Sequence, residues 1–414
     1  MSILQHGQAQ SNMGEILNLS SKTGRKQPWR RHKFFSSQVA ESYFRLANNT
    51  HFDTAKYQWH ADEDGEVYDI VKLRTPYDRK AENILSCASW LKVGVCANGH
   101  KQLTGASFCR SRLCPMCAWR RSFLIAHQIK RVGHEVAQQQ KVRWLFLTLT
   151  VRNMPFEELH AGITQLMEAF RKLSRYTRFK NAVLGWYRSL EVTRNLDKHS
   201  EWYGTFHPHL HVLLCVPTTY FKSAKTYIDQ AEWTKMWQKA LKVTYTPLVH
   251  IQVVKPKRNK KVEADLLADY GLDIGEVGDS RELTGAAIAE TAKYSVKPGE
   301  LVVFSDGCYC SGKCTCGNEQ KPYMEHKIDE EETDFSVFAF DLVLSRRRLK
   351  AYGGLLKEVW NRLQQEEKMV DPEADDADLV GVTEDEKCTC STCQSALLET
   401  LYRWQPGVNH YIST

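Results

Sequence analysis

The stretch Phe206–Pro217 (FHPHLHVLLCVP) constrains this chain most, because its three histidines recur at every second residue and run directly into an apolar segment. That spacing is the period of a β-strand, in which successive side chains point to opposite faces. His207, His209 and His211 therefore share one face, and Leu210 and Val212 the other. Imidazoles side by side on a rigid strand form half of a metal site, since neutral ring nitrogens suit Mn, Zn, Fe or Ni and a nearby carboxylate completes the shell. A lone His-x-His is more often an accident of surface or core, so the neighbouring segments decide how it is read.

Upstream, residues 182–193 (AVLGWYRSLEVT) read as a second strand, and the turn-forming residues 195–204 let the two pair as a hairpin. Glu191 stands between Leu190 and Val192 and so projects to the face opposite them, where a carboxylate meets the histidines across the ladder. Downstream, residues 286–297 (AAIAETAKYSVK) have helical composition, follow the candidate caps Asp279 and Ser280, and stop at Pro298. Glu290 and Tyr294 are four apart on one helical face, with Lys297 one turn further.

Taken in order, Phe146-Leu-Thr-Leu-Thr150, His207-Pro-His-Leu-His211 and Glu290-Thr-Ala-Lys-Tyr294-Ser-Val-Lys297 resemble the three motifs of the rolling-circle plasmid replication initiators of single-tyrosine type. These are HUH endonucleases, named for histidine, hydrophobic, histidine. The resemblance covers about residues 85–360 and does not explain the two ends of the chain. It implies a central sheet with a metal and a tyrosine on one face. Tyr294 would nick one DNA strand, leaving a 5′-phosphotyrosine and a free 3′-hydroxyl that primes a polymerase. His209, His211 and Glu191 are the expected ligands of a divalent ion, magnesium or manganese, and Lys297 or Lys293 would favour the phenolate or clamp phosphate. His207 is expected beside the ligands rather than among them, and the resemblance gives Glu290 the activation of water that ends replication. The expected substrate is single-stranded or extruded origin DNA, because pairing hinders access, and the resemblance adds a host helicase and DNA polymerase as partners. Two other readings compete. One is a zinc-containing DNA-binding protein without catalysis; the other is a metal-dependent phosphodiesterase that uses water and does not need Tyr294.

At 414 residues the chain suggests two or three domains. Its net charge of +7 is unevenly placed: Lys22, Arg25, Lys26, Arg30, Arg31 and Lys33 crowd the start while residues 371–386 are acidic, a pattern that favours a polyanionic partner. No apolar run approaches the roughly 20 residues of a membrane span and no apolar signal core opens the chain, so the expectation is a cytoplasmic protein without a membrane partner. The expected divisions are a basic flexible arm over 1–38, a zinc-binding region over 39–140, an HUH catalytic domain over 141–300, and a C-terminal region over 301–414 with cysteine-rich inserts and an acidic linker.

The 13 cysteines are mostly clustered, which in a reducing compartment reads as metal ligands rather than disulfides. Cys87, Cys96, His100, Cys109, Cys114 and Cys117 offer six candidates for four places. The C-x-x-C turn Cys114-Pro-Met-Cys117 is expected to grip a structural zinc with Cys109 and one of Cys87, Cys96 or His100, with Cys96 taken as the fourth. Arg110, Arg112, Arg120 and Arg121 around this turn are expected to lay a basic surface along DNA, and a helix is expected from Trp119 to Gln139. Cys308, Cys310, Cys314 and Cys316, with Cys388, Cys390 and Cys393, suggest one further zinc site, or two if other ligands help.

Between these features, residues 142–151 are continuously apolar, as in a central strand buried on both faces. Helical spacing marks 157–179 and 222–242, and 249–254 reads as a short strand. Residues 335–344 are strand-like or helical, and Gly353-Gly354 interrupts a helical pattern over 345–364. The sum is an α+β fold, a central antiparallel sheet with packed helices plus zinc-binding elements.

Overall fold

The computed structural model describes residues 14–20, 27–49, 51–52, 54–61, 67–254, 288, 291–292, 295–305, 326–366, 369, 371, 379–380 and 397–414. The first helix, α1 (Trp29–Ala47), overturns part of the expected flexible arm. Residues 29–38 belong to this helix, and Trp29, Phe35 and Val39 are core residues at 2%, 1% and 0% exposure. The cluster of basic residues disguised a helix with a buried apolar stripe. Next, β1 (Lys56–Ala61) and β2 (Val67–Leu73) form a two-stranded hairpin of their own. Helix α2 (Pro76–Ser86) starts on a capping box in which Thr75 N–H donates to Asp78 Oδ2 (2.7 Å) and Asp78 N–H to Thr75 Oγ1 (3.4 Å), with proline at the first helical position. A second hairpin, β3 (Trp90–Val95) and β4 (Lys101–Ala106), leads into the long helix α3 (Pro115–Gln139).

The remaining elements are β5 (Val142–Thr150), α4 (Phe156–Leu173), α5 (Thr177–Ala182), β6 (Gly185–Arg194), β7 (Phe206–Pro217), α6 (Gln230–Leu241) and β8 (Val249–Val253). They are followed by α7 (Pro298–Leu301), α8 (Glu330–Leu344), β9 (Lys350–Gly354), α9 (Leu355–Gln365), β10 (Leu398–Gln405) and β11 (His410–Ser413). An antiparallel five-stranded sheet in the order β8-β5-β7-β6-β9 is central, and a four-stranded antiparallel sheet runs β11-β10-β3-β4. The α+β architecture read from the sequence is therefore the one observed. The four-stranded sheet draws strands from both the expected N-terminal and C-terminal regions, and β9 joins the sheet of the expected catalytic domain. Among the described residues no helix is long and apolar enough to cross a membrane.

Three local differences have physical causes. The helix expected over 222–242 begins only at Gln230, because the Asp229 carboxylate accepts from Glu232 N–H (2.7 Å) and fixes the start there. The helix expected over 157–179 is two, α4 and α5, with Ser174–Tyr176 between them. The pattern over 345–364 splits into β9 and α9, because Gly353 lies so close under Trp186 that an added Cβ would stand 2.2 Å from the indole, and Gly354 takes a φ of +55°.

The two faces of the central sheet carry different cores. Phe206, Leu210, Val212, Leu214 and Val216 of β7 join the main cluster with residues of α1, α4, α6 and α8. On the histidine face, Leu213 and Cys215 pack with Ile125 and Val132 of α3, Leu356 and Trp360 of α9, and Ile288 and Ala292. Strand β7 can serve both because its alternate residues are apolar on one side throughout and on the other only beyond His211.

Candidate functional site

The hairpin of β6 and β7 sets Glu191 directly opposite His209, with Ser189 opposite His211 and Thr193 opposite His207. Opposed residues share a face, so this register brings the carboxylate to the two rings. Glu191 Oε2 lies 2.9 Å from His211 Nε2 and 3.4 Å from His209 Nε2, and the two Nε2 atoms are 3.2 Å apart. His209 Nδ1 is 3.2 Å from the carbonyl of His207. A carbonyl only accepts, so Nδ1 carries the proton and Nε2 presents its lone pair to the cluster. Ligands about 2.1 Å from one ion stand roughly 3 Å from each other, and these three donors have that spacing. They fit a divalent cation.

All three donors are buried, Glu191 to 3% exposure. Lys297, half-exposed just ahead of α7, places its Nζ 3.1 Å from Glu191 Oε1 and leaves Oε2 turned toward the histidines. Burial alone would raise the Glu191 carboxyl, but the His209 and His211 imidazoles and the charge of Lys297 outweigh it and hold it well below the usual range. His207 is pushed below its ordinary value by burial and by neighbouring His209.

The first motif segment lies on the next strand. Thr148 is opposite His211 and Thr150 opposite His209, Phe146 stacks on His211 with ring centroids 5.4 Å apart, and Leu147 and Leu149 are fully buried on the other side. Of residues 286–297, Ile288 and Ala292 pack with Leu213 and Cys215, which continue the histidine face, and Val192 N–H donates to Ser295 O (2.9 Å). Glu290, Lys293 and Tyr294 lie outside the described residues. A second carboxylate went unread in the sequence. Glu300 on α7 accepts from the Arg194 N–H (2.7 Å), and burial pushes its carboxyl up to about 7, with that hydrogen bond and Lys297 opposing and Glu191 adding to the rise. Its one sequence signal was its position in the first turn of a Pro298-initiated helix.

The cysteines form a second cluster. Cys87, Cys109, Cys114 and Cys117 bring their sulfurs within 4.8 Å of one another, with Cys117 Sγ 3.5 Å from Cys87 Sγ and 3.7 Å from Cys109 Sγ. The edge of a zinc tetrathiolate is about 3.8 Å. Three backbone N–H groups point at these sulfurs, from Cys109 to Cys87 (3.4 Å), Arg110 to Cys117 (3.2 Å) and Ser111 to Cys109 (3.4 Å). Lys33, 1% exposed, donates to the carbonyls of Leu85 (2.7 Å) and Cys87 (2.6 Å) and brings a cation to the thiol group. Burial pulls its ammonium down, and the four thiols partly restore it. The donor set is soft, closed and compensated, and it fits a structural metal.

The expected fourth ligand is corrected by this arrangement. Cys96 sits at the turn between β3 and β4 with its sulfur 3.5 Å from His100 Nδ1, while Cys87 takes the fourth corner. A second correction concerns Arg120, which is fully buried, donates to the carbonyls of Leu379 (2.9 Å) and Val380 (3.1 Å), and lies over Trp29 and Trp119. It is a core cation, not part of a DNA surface. Arg110 is exposed, and Arg112 and Arg121 are half-buried. Cys308, Cys310, Cys314, Cys316, Cys388, Cys390 and Cys393 lie outside the described residues, as does most of the acidic stretch.

An antiparallel sheet that gathers two histidines and a carboxylate on one face, with a cation at their back, defines a candidate metal-dependent site. The Rep_1 family model, described as Replication protein, matches residues 100–412, and the chain belongs to this family of replication proteins. It is 35% identical over 398 residues to "Protein rep" of Bacillus amyloliquefaciens, covering 96% of this chain and 97% of that one. It is 40% identical over 313 residues to "Protein rep" of a Bacillus species (75% and 88%), and 33% identical over 401 residues to "Protein rep" of Lactiplantibacillus plantarum (96% and 99%). No solved structure matches. The resemblance to plasmid replication initiators read from the motifs is borne out at the level of the family.

Proposed function

We propose that the protein initiates replication by nicking one strand of single-stranded or extruded origin DNA, with Tyr294 as nucleophile. The observation that carries this reading is the convergence of Glu191, His209 and His211 on one sheet face, with Lys297 against the carboxylate. In the step, the Tyr294 oxygen bonds to phosphorus as the bond from phosphorus to O3′ breaks. The phenolic proton leaves, the 3′ oxygen gains one, and the products are a 5′-phosphotyrosine and a 3′-hydroxyl that a polymerase extends. A phenol with an ordinary pKa of about 10 is a poor nucleophile at neutral pH, so the site must supply charge. His209, His211 and Glu191 would hold a divalent cation, which would supply that positive charge, and two imidazoles among three donors favour manganese over magnesium. Lys297 orients Glu191 and adds a positive charge at its back. His207 fixes the tautomer of His209 through its carbonyl. Glu290 has the chemistry to activate water for the hydrolysis that ends a round.

The cysteine knuckle is assigned a zinc ion held by Cys87, Cys109, Cys114 and Cys117, with a structural role. The test of the nicking reading is a detergent-resistant protein–DNA adduct. Wild-type protein incubated with supercoiled origin DNA and manganese is expected to form it, and Tyr294→Phe, which removes the only attacking oxygen, is expected to form none. An undiminished adduct in Tyr294→Phe overturns the reading.

A further inference from the structure

We propose that the cleft between the cysteine knuckle, α7 and the turn from α8 to β9 seats backbone phosphate of the DNA strand beside the candidate active site. This rests on the reading of the chain as an origin-DNA nickase. The cleft is a cavity of about 350 Å³ whose wall includes Arg110, Arg112, Arg121, Arg346 and Lys350. Its one acidic residue, Asp341, is paired with Lys80. Such an excess of cations around one concavity suits a polyanion.

Its position relative to the histidines follows from the sheet. His250, Thr148, His211, Ser189 and Lys350 occupy one cross-strand row over the five strands, so Lys350 stands on the histidine face. It lies two strands from His211, on the order of 10 Å. Ser295 and Val296, which directly follow Tyr294 in sequence, line the same cavity. A strand lying in the cleft would therefore pass toward the face that carries Glu191, His209 and His211.

Arg110 and Arg346 are exposed and hold left-handed backbones, with φ of +57° and +56°. Glycine suits that conformation better than any side chain, so an arginine there is not explained by the fold. Both backbones are held firmly. Arg110 N–H donates to Cys117 Sγ (3.2 Å) and its carbonyl accepts from Arg121 (2.6 Å), while Arg112 bridges the carbonyls of Leu344 and Arg347 on either side of Arg346. The knuckle and the turn thus each carry an exposed guanidinium on the wall of the cleft, a group suited to phosphate oxygens.

The experiment uses the full chain and a fluorescent single-stranded origin oligonucleotide without added divalent metal, with affinity followed against salt. Because glycine relieves the left-handed backbone, Arg110→Gly and Arg346→Gly keep the fold, and Lys350→Ala gives an independent third variant. The double glycine variant is expected to bind roughly tenfold more weakly and to flatten the plot of log affinity against log salt by about 0.7 per lost phosphate contact. Arg110→Lys and Arg346→Lys are expected to keep most of the slope. Unchanged affinity and slope in the double glycine variant and in Lys350→Ala overturn the seat. In that event, wild-type protein that still forms the covalent adduct leaves the nicking reading standing. A flattened slope alongside an absent wild-type adduct supports the seat and sinks the nicking reading instead.

Discussion

The knuckle and the histidine face both converge ligand-type side chains, but the knuckle gathers four donors of one kind and the histidine face, among the described residues, three of two kinds. Four sulfurs lie within 4.8 Å of one another in the knuckle, enough for a tetrahedral shell, backbone N–H groups point at them, and Lys33 is buried beside them. Among the described residues the histidine face offers three donors, two imidazoles and one carboxylate, which do not by themselves complete a four-coordinate shell. A closed soft set stabilises a fold, whereas an incomplete mixed set supports chemistry. Metal removal should therefore have two separable consequences in this one chain.

The largest expected effect breaks the comparison at the histidine face. Glu191→Ala and His211→Ala should each lower nicking by at least about a thousandfold while leaving single-strand binding near wild type, since binding rests on many phosphate contacts. Gel assays of supercoiled DNA with manganese check this, and nicking within tenfold of wild type would remove these residues from the metal site. Next, Cys87→Ser should abolish stoichiometric zinc and cost about 3 kcal/mol or more of stability, whereas Cys96→Ser should keep the zinc. Elemental analysis with thermal unfolding decides, and the reverse pattern would restore Cys96 as the ligand.

The smallest effect concerns Glu300. Its carboxyl is raised to about 7 in the folded chain against an ordinary value of 4.5, so between those pH values the folded state holds a proton that the unfolded state has released. Stability therefore falls as pH rises through this window, and the full cost is present above it. Glu300→Gln keeps an acceptor for the Arg194 N–H and should be more stable than wild type by on the order of 2 kcal/mol at pH 8, with the gap closing below pH about 4.5. Parallel unfolding curves at pH 5 and pH 8 test it, and a pH-independent gap would sink the assignment.

The histidine face was legible because strand alternation is a strict rule. Once 206–217 and 182–193 are paired strands, Glu191, His209 and His211 are obliged to share a side. The knuckle was legible in part, because the spacing of cysteines along the chain hides a hairpin. From Cys87 the chain runs out along the six residues of β3 to Cys96 and returns along β4, so Cys109 comes back beside Cys87 while Cys96 stays at the far turn. Arg120 was misread for a related reason: charge alone says nothing of which helical face is inward, and only the packing of α1 on α3 reveals that the guanidinium is roofed by Trp29. Neither Glu290 nor Tyr294 falls in the described residues, so their roles rest on the motif.

The sheet beside the knuckle is closed by segments that lie far apart in the sequence. Ile16 bridges to Ile412, the Glu15 N–H donates to Ser413 Oγ across a separation of 398 residues, and β10 pairs along the whole of β3. On a ribosome, β3 and β4 emerge first and must wait, with an open edge, until β10, which begins only at Leu398, has been made. Contacts this distant in sequence are slow to form. The newly made protein therefore has a built-in delay before this platform is complete, during which the unpaired edge of β3 is open to wrong pairing with other nascent chains.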